Sequence, residues 1–216
     1  MLALYGHPFS SYTWKAQIAL YANAIRFEFR VVDPDHPEHA AVVAAASPQG
    51  KFPLLLDSER QVFEATCIIE YLDLNYPGPQ RFIPADPSAA LDERMLDRAF
   101  DNYVMSPTQE FVAAYIRSPQ SPDPTVLERS REGLERSYRW LDRWLVRAGR
   151  GERLGLVECA AAPALFYADW VCPIPAELGR LREWRALLLG LAPVARCVDA
   201  ARPFRAYFPP GAPDRD

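Results

Sequence analysis

Two stretches carry side chains that could do chemistry at the mouths of helices. In HPFSSYTWKAQ, Ser10 and Ser11 open a helical pattern that sets Trp14, Ile18 and Tyr21 on one face. A hydroxyl at that position caps the helix by accepting from a backbone N–H one turn on. It can also donate to an anion, which the partial positive charge of the helix start favours as well. In VFEATCIIEYL, Glu64 opens a second helix. The unpaired N–H groups there make a site for a carboxylate, while Glu64 can equally be a charge that favours the helix start. Between the two lies SPQGKFPLLL, where Pro53 enters an apolar run that otherwise reads as a buried strand. Proline cannot donate to a strand ladder, so Pro53 marks either the first residue of the strand or a place where backbone is free to pair with something else.

The elements that must position these residues follow from periodicity. LALY is a short strand, SSYTWKAQIALYAN a helix and IRFEFRVVD a strand with Phe27, Phe29 and Val31 on one side. HPEHAAVVAAAS is then a short helix, FPLLLDSERQVFE a hairpin turning over 57–60, and EATCIIEYLDLNY a helix. The order βαβ, α, ββα predicts a thioredoxin-like α/β domain over residues 1–78. A proline-rich linker over 79–87 leads to an all-helical domain over 88–216. Asp86-Pro87 and Asp123-Pro124 each supply a cap followed by a residue pre-set for the first turn, and Gly149 ends the second of these helices. The tail FPPGAPDRD is expected to fray.

The net charge of -4 gives no general attraction to nucleic acid or to anionic membranes. Cys67, Cys159, Cys172 and Cys197 are widely spaced with no zinc-binding pattern, so they read as reduced thiols, and no metal is expected. The absence of a signal-like start and of a membrane-length apolar run makes the cytoplasm the expected compartment.

LYGHPFSSYTWKAQIAL, SPQGKFPLL and FEATCIIEYL together resemble the soluble glutathione S-transferases over nearly the whole chain. The first piece is similar to the serine-type classes, as in a bacterial member, with a Ser-Ser-x-Thr-Trp spacing like that of the zeta class. The resemblance implies a cis bond before Pro53, so that the backbone of Phe52 pairs with the cysteinyl unit of glutathione. It also implies that Glu64 takes the ligand's ammonium group, with Lys51 near its glycine end. The position after Glu64, where the family usually carries a serine for the ligand carboxylate, is Ala65. That departure is expected to weaken binding unless Thr66 or a water compensates. Ser10 matches the hydroxyl that donates to the thiolate, with Ser11 and Tyr5, near the place of the tyrosine of other classes, as alternatives. Lys15, His36 and His39 are further candidates by location. Thioredoxin-like oxidoreductases place two cysteines where Ser10 and Thr13 stand, so dithiol chemistry is not expected.

DNYVMSPTQEFVAAYIR reads as a long helix that Pro107 should kink or break. By the resemblance it faces the thiol, and Tyr103, Met105, Phe111 and Tyr115 are candidates for the apolar wall of a second-substrate site, though such a stripe also fits core packing. The helix at RLGLVECAAAPALFY has Gly155 and Glu158 where the family has a Ser/Thr-x-x-Asp cap, which predicts a weaker start. The resemblance implies a cytoplasmic homodimer that conjugates glutathione to a small hydrophobic electrophile in detoxification. A binding or assembly module with little turnover, suggested by Ala65, and a zeta-like glutathione-dependent isomerase are the alternatives. Tyr12 replaces the cysteine of the zeta motif.

Overall fold

In a computed structural model, which describes residues 2–151 and 153–216, the first part of the chain folds around a four-stranded sheet. The elements are β1 (Leu2–Gly6), α1 (Ser11–Ala22), β2 (Glu28–Val31), α2 (Pro37–Ala46), β3 (Leu54–Asp57), β4 (Arg60–Phe63) and α3 (Ala65–Asn75). The strand order is β2-β1-β3-β4, with β1 parallel to β2 and antiparallel to β3. This is a thioredoxin-like arrangement: α1 makes the crossover between the parallel strands, and the β3–β4 hairpin sets up α3. Leu2, Leu4 and Leu55 meet Trp14, Ile18 and Ile69 in a buried layer between sheet and helices.

Helices then take over. They are α4 (Pro87–Ala99), α5 (Ser106–Arg117), α6 (Pro124–Ala148), α7 (Leu156–Val171), α8 (Gly179–Gly190) and α9 (Ala192–Ala201), with a 3-10 turn at Arg202–Tyr207. The two Asp-Pro starts act as expected: Asp86 accepts from the Ala89 N–H at 2.8 Å and Asp123 from the Thr125 N–H at 2.9 Å. Every residue of α7 is buried, and the helix packs against α1, where Trp14 and Phe166 lie 4.9 Å apart. One hydrophobic core thus runs from the sheet through α1 into the helical part.

Three expectations change in detail. The segment around Pro107 is neither one kinked helix nor a broken one: residues Phe100–Met105 form a π-helical turn, and Pro107 sits in the first turn of α5. Pro107 has no N–H for the carbonyl of Tyr103, which accepts instead from the Ser137 hydroxyl of α6 at 2.8 Å. The wider turn also lets the Asp101 carbonyl accept from Ser106, both from its N–H and, at 3.1 Å, from its hydroxyl.

The tail does not fray. Phe208 is buried against Phe9, Tyr167 and Trp170, and Arg215 pairs with Asp169.

At the start of α7, Glu158 does reach back, accepting from the Gly155 N–H at 2.9 Å. The side-chain cap that glycine lacks comes from elsewhere in the chain: Glu93 of α4 accepts from the Val157 N–H at 3.3 Å. Arg150 bridges the two carboxylates at 2.7 and 3.0 Å. A weak local start is thereby reinforced by a tertiary one.

Candidate functional site

The loop from Gly6 to Ser10 is held from several sides. Its backbone comes so close to α1 that a Cβ on Gly6 would lie 2.5 Å from Thr13 Oγ1, so glycine is required there. Thr13 Oγ1 accepts from the His7 N–H at 3.3 Å, and the Phe9 N–H donates to His7 Nδ1 at 3.1 Å. Trp14 Nε1 donates to the Pro8 carbonyl at 2.6 Å, and the Tyr167 hydroxyl of α7 donates to the Phe9 carbonyl at 3.0 Å. Burial lowers the pKa of His7, which keeps the ring neutral and Nδ1 able to accept, against a smaller opposing pull from Asp33.

Ser10 is the N-cap of α1. Its Oγ accepts from the Thr13 N–H at 3.2 Å, which leaves the hydroxyl proton free to donate outward. Capping and donating are therefore compatible in one side chain.

Ser10 borders a cavity of about 520 Å³ whose wall also includes Lys51, Phe52, Pro53, Glu64 and Ala65. The Phe52–Pro53 bond is cis, and the ladder of β3 begins only at Leu54. Glu64, the N-cap of α3, has φ of 67°, a left-handed conformation unusual for a residue with a side chain, and its carboxylate caps no N–H of its own helix. Strain of this kind costs about 1–3 kcal/mol and collects where a site is built. The structure thus gathers Ser10, Lys51, Phe52, Pro53, Glu64 and Ala65, which are scattered along the sequence, around one cavity.

Against it lies a second cavity of about 540 Å³, walled by Phe9, Met105, Val112, Ile116, Tyr167 and Phe208. Ser10, Phe52 and Gln109 border both. A charged compartment and an apolar one meet at the Ser10 hydroxyl.

Other candidates stand elsewhere. Tyr5 is buried on the α2 side of the sheet, edge-on to His39, and its hydroxyl accepts from Arg30 at 2.6 Å. Ser11 borders the apolar cavity but is nearly covered. Of the proposed wall, only Met105 lines the apolar cavity. Tyr103 points into a separate groove between the π-helical turn and α6, while Phe111 is buried, stacked on Tyr115 at 5.5 Å, and neither of that pair borders the two cavities. The π-helical turn is the cause, because it breaks the 3.6-residue spacing on which a single stripe depends. His36 and His39 stack on each other, and His39 contacts the Val31 carbonyl away from the cavity.

Lys15 is not free for a ligand either. It is buried, with Nζ 2.5 Å from Asp97, 2.9 Å from Asp101 and 3.0 Å from Thr66 Oγ1. Thr66 also donates to Asp97 at 2.8 Å and accepts from Arg98. Its hydroxyl is fully committed and cannot stand in for the one missing at Ala65. Sequence reasoning missed Arg98, Asp101, Tyr12 and Gln109, all of which border the charged cavity. Their only sequence signal is the opposed charge of Asp97, Arg98 and Asp101 beside an apolar helix face. Burial raises the pKa of Asp101 against the pull of Lys15, and burial together with the carboxylate of Asp101 pushes the Tyr12 phenol up to about 12, so Tyr12 stays a donor.

A family model for the glutathione S-transferase N-terminal domain matches residues 4–80. A probable maleylacetoacetate isomerase of Vibrio cholerae is 27% identical over 188 residues, covering 78% of this chain and 81% of the relative. Glutathione S-transferase 1 of Dianthus caryophyllus is 27% identical over 173 residues, covering 76% of each chain. A stringent starvation protein A homolog of Coxiella burnetii is 29% identical over 96 residues, and the match spans only 44% of its length. Among solved structures, a glutathione S-transferase of Methylobacterium radiotolerans in complex with glutathione sulfonate superposes with a TM-score of 0.75 at 25% identity, covering 91% of this chain and 94% of that one. A glutathione transferase of Populus trichocarpa reaches a TM-score of 0.82 at 14% identity, covering 94% of this chain and all of the other. Residues 4–80 thus match the glutathione S-transferase N-terminal domain, and the chain as a whole has the glutathione transferase fold.

Proposed function

We propose that the protein binds reduced glutathione in the charged cavity and adds its thiol to a small hydrophobic electrophile held in the apolar one. The observation that carries this reading is the meeting of the two compartments at Ser10. The ligand's cysteinyl unit pairs with the backbone of Phe52, its ammonium group faces Glu64, and its glycine carboxylate lies near Lys51. An unperturbed thiol has a pKa of about 8.5, so little thiolate exists at neutral pH. The Ser10 hydroxyl donates to the sulfur while the N-terminus of α1 adds its partial positive charge, and both favour the thiolate. The proton goes to solvent, the sulfur forms its bond to the electrophilic carbon, and a leaving group departs or an addition product forms. Ser10 acts as a donor and not as a base.

The deciding experiment is calorimetric titration with reduced glutathione, followed by turnover of an activated aryl halide. Binding with turnover supports the reading; binding without turnover turns it into a glutathione-binding module; no binding sinks it. Similarity to the Vibrio cholerae isomerase over most of its length favours a second reading, glutathione-dependent cis-trans isomerisation, which an isomerase assay separates from conjugation.

The proposal extends to a homodimer in a reducing compartment such as the cytoplasm. Cys67, Cys159, Cys172 and Cys197 are all free thiols, and no helix of the described residues is long and apolar enough to cross a membrane. Exposed Leu74, Leu91 and Met95 flank the Glu70–Arg94 ion pair that joins α3 to α4, an apolar surface suited to a second copy. A dimer in sedimentation that Met95→Asp splits supports this interface.

A further inference from the structure

Glu64 and Asp101 bring two carboxylates to the wall of the charged cavity, and Lys51 and Arg98 bring two cations. The side chain after Glu64 gives a ligand carboxylate no hydroxyl, only the open backbone N–H groups of the α3 start remain there, and the Thr66 hydroxyl is committed to Lys15, Asp97 and Arg98. Arg98 differs in this respect. Its Nε and Nη2 are spent on Asp97, at 3.1 and 2.6 Å, and Nη2 also meets Thr66 and, at 2.7 Å, Asp101. Nη1 has no protein partner among the described residues, and the side chain is half exposed where it borders the cavity. The carboxylates fix the guanidinium through Nε and Nη2 and leave the Nη1 donors unspent, available for a charge-assisted hydrogen bond to a ligand carboxylate. Tyr12, with Asp101, Arg98 and Glu64 as its charged neighbours, borders the same corner.

Resting on the glutathione reading, we propose that Arg98, aided by the Tyr12 hydroxyl, anchors the α-carboxylate of the ligand's γ-glutamyl end in place of the hydroxyl that Ala65 lacks. Glu64 and Asp101 then face the adjoining ammonium group, so that an α-amino-acid end meets opposed charges on both of its groups. The site selects ligands that carry both. Because a charge replaces a neutral hydroxyl, binding also becomes more sensitive to salt. Arg98 comes from α4, so this recognition exists only when the helical part is packed on the sheet, and Lys15 together with Thr66 ties that corner to α1 and α3.

The test is calorimetry with two probes, reduced glutathione and the analogue 4-aminobutyryl-cysteinylglycine, which lacks only the α-carboxylate. Wild type should bind the analogue about ten- to a hundredfold more weakly than glutathione. Arg98→Gln should weaken glutathione by a similar factor while leaving the analogue within about twofold, because its lost contact is already absent there. Adding Ala65→Ser to that variant should restore glutathione binding, and Tyr12→Phe should cost about threefold to tenfold. If Arg98→Gln weakens both probes equally, the arginine only holds the fold and the proposal falls. Equal binding of both probes by wild type overturns it as well, with the glutathione reading intact. No glutathione binding by wild type or by Ala65→Ser overturns that reading and this proposal together.

Discussion

The two cavities that meet at Ser10 were built by different means. The charged one takes most of its wall from turns and helix starts in the first part of the chain, where Lys51, Phe52, Pro53, Glu64 and Ala65 lie within two short motifs, with Arg98, Asp101, Asn102 and Gln109 closing it from the helical part. The apolar one is assembled from the loop before α1, the end of the π-helical turn, α5, α7 and the tail. A site made of backbone features needs particular residues at particular places and leaves a motif behind. A site made of apolar surface needs only volume, and many sequences supply it.

That contrast can be broken experimentally. The largest effect is expected where the helical part locks onto the sheet: Asp97→Ala leaves Lys15 buried beside a lost partner and should lower unfolding free energy by about 3–5 kcal/mol in denaturant titrations. A loss below 1 kcal/mol would show the ion cluster to be a bystander. Next, Ser10→Ala should cut turnover by about a hundred- to a thousandfold and let the pKa of bound thiol climb back toward about 8.5, read from thiolate absorbance. An unchanged thiol pKa would move the donor role elsewhere.

In the apolar compartment, Met105→Ala should raise KM for a hydrophobic electrophile by about tenfold with glutathione affinity unchanged, whereas Tyr103→Ala should alter neither. The reverse pattern would put the second substrate in the groove between the π-helical turn and α6. The smallest effect concerns pH. Since burial lowers the folded-state pKa of His7, protonation favours the unfolded chain, and stability should fall as pH drops through 6.5 toward that lowered value. The Phe9 N–H loses its acceptor in the same step. A melting temperature that drops equally in His7→Gln over that range would assign the loss to other groups.

The sheet, the hairpin and both Asp-Pro helix starts were legible because each rests on local chemistry: alternation, caps, prolines. Lys51, Phe52, Glu64 and Ala65 were singled out by the motifs of the resemblance, and the structure brings them with Ser10 and Pro53 to one cavity. The apolar wall was not legible. Tyr103, Phe111 and Tyr115 fit a helical stripe, but the turn at Phe100–Met105 separates Tyr103 from the stacked Phe111–Tyr115 pair and, of the four, only Met105 reaches the cavity. Arg98 was invisible for a related reason, since what gives it a role is the packing of α4 against α1 and α3, through contacts far apart in sequence. The reinforcement of α7 by Glu93 and the burial of Phe208 are likewise tertiary. Tyr5 and Lys15 misled by proximity alone, one turned to the other side of the sheet and the other spent in an ion cluster.

The wide turn between α4 and α5 has an evolutionary side. A π turn amounts to one extra residue inside an otherwise continuous helix, so removal of a single codon between Phe100 and Met105 would close it to ordinary α geometry. α5 would then be turned by about 100° about its own axis relative to α4, since an α-helix makes one turn in 3.6 residues. The face of α5 now presented to the apolar cavity would be exchanged for another, while the sequence motifs that line the charged cavity stayed untouched. Here a one-residue deletion is a route to a differently lined apolar cavity in a single mutational step.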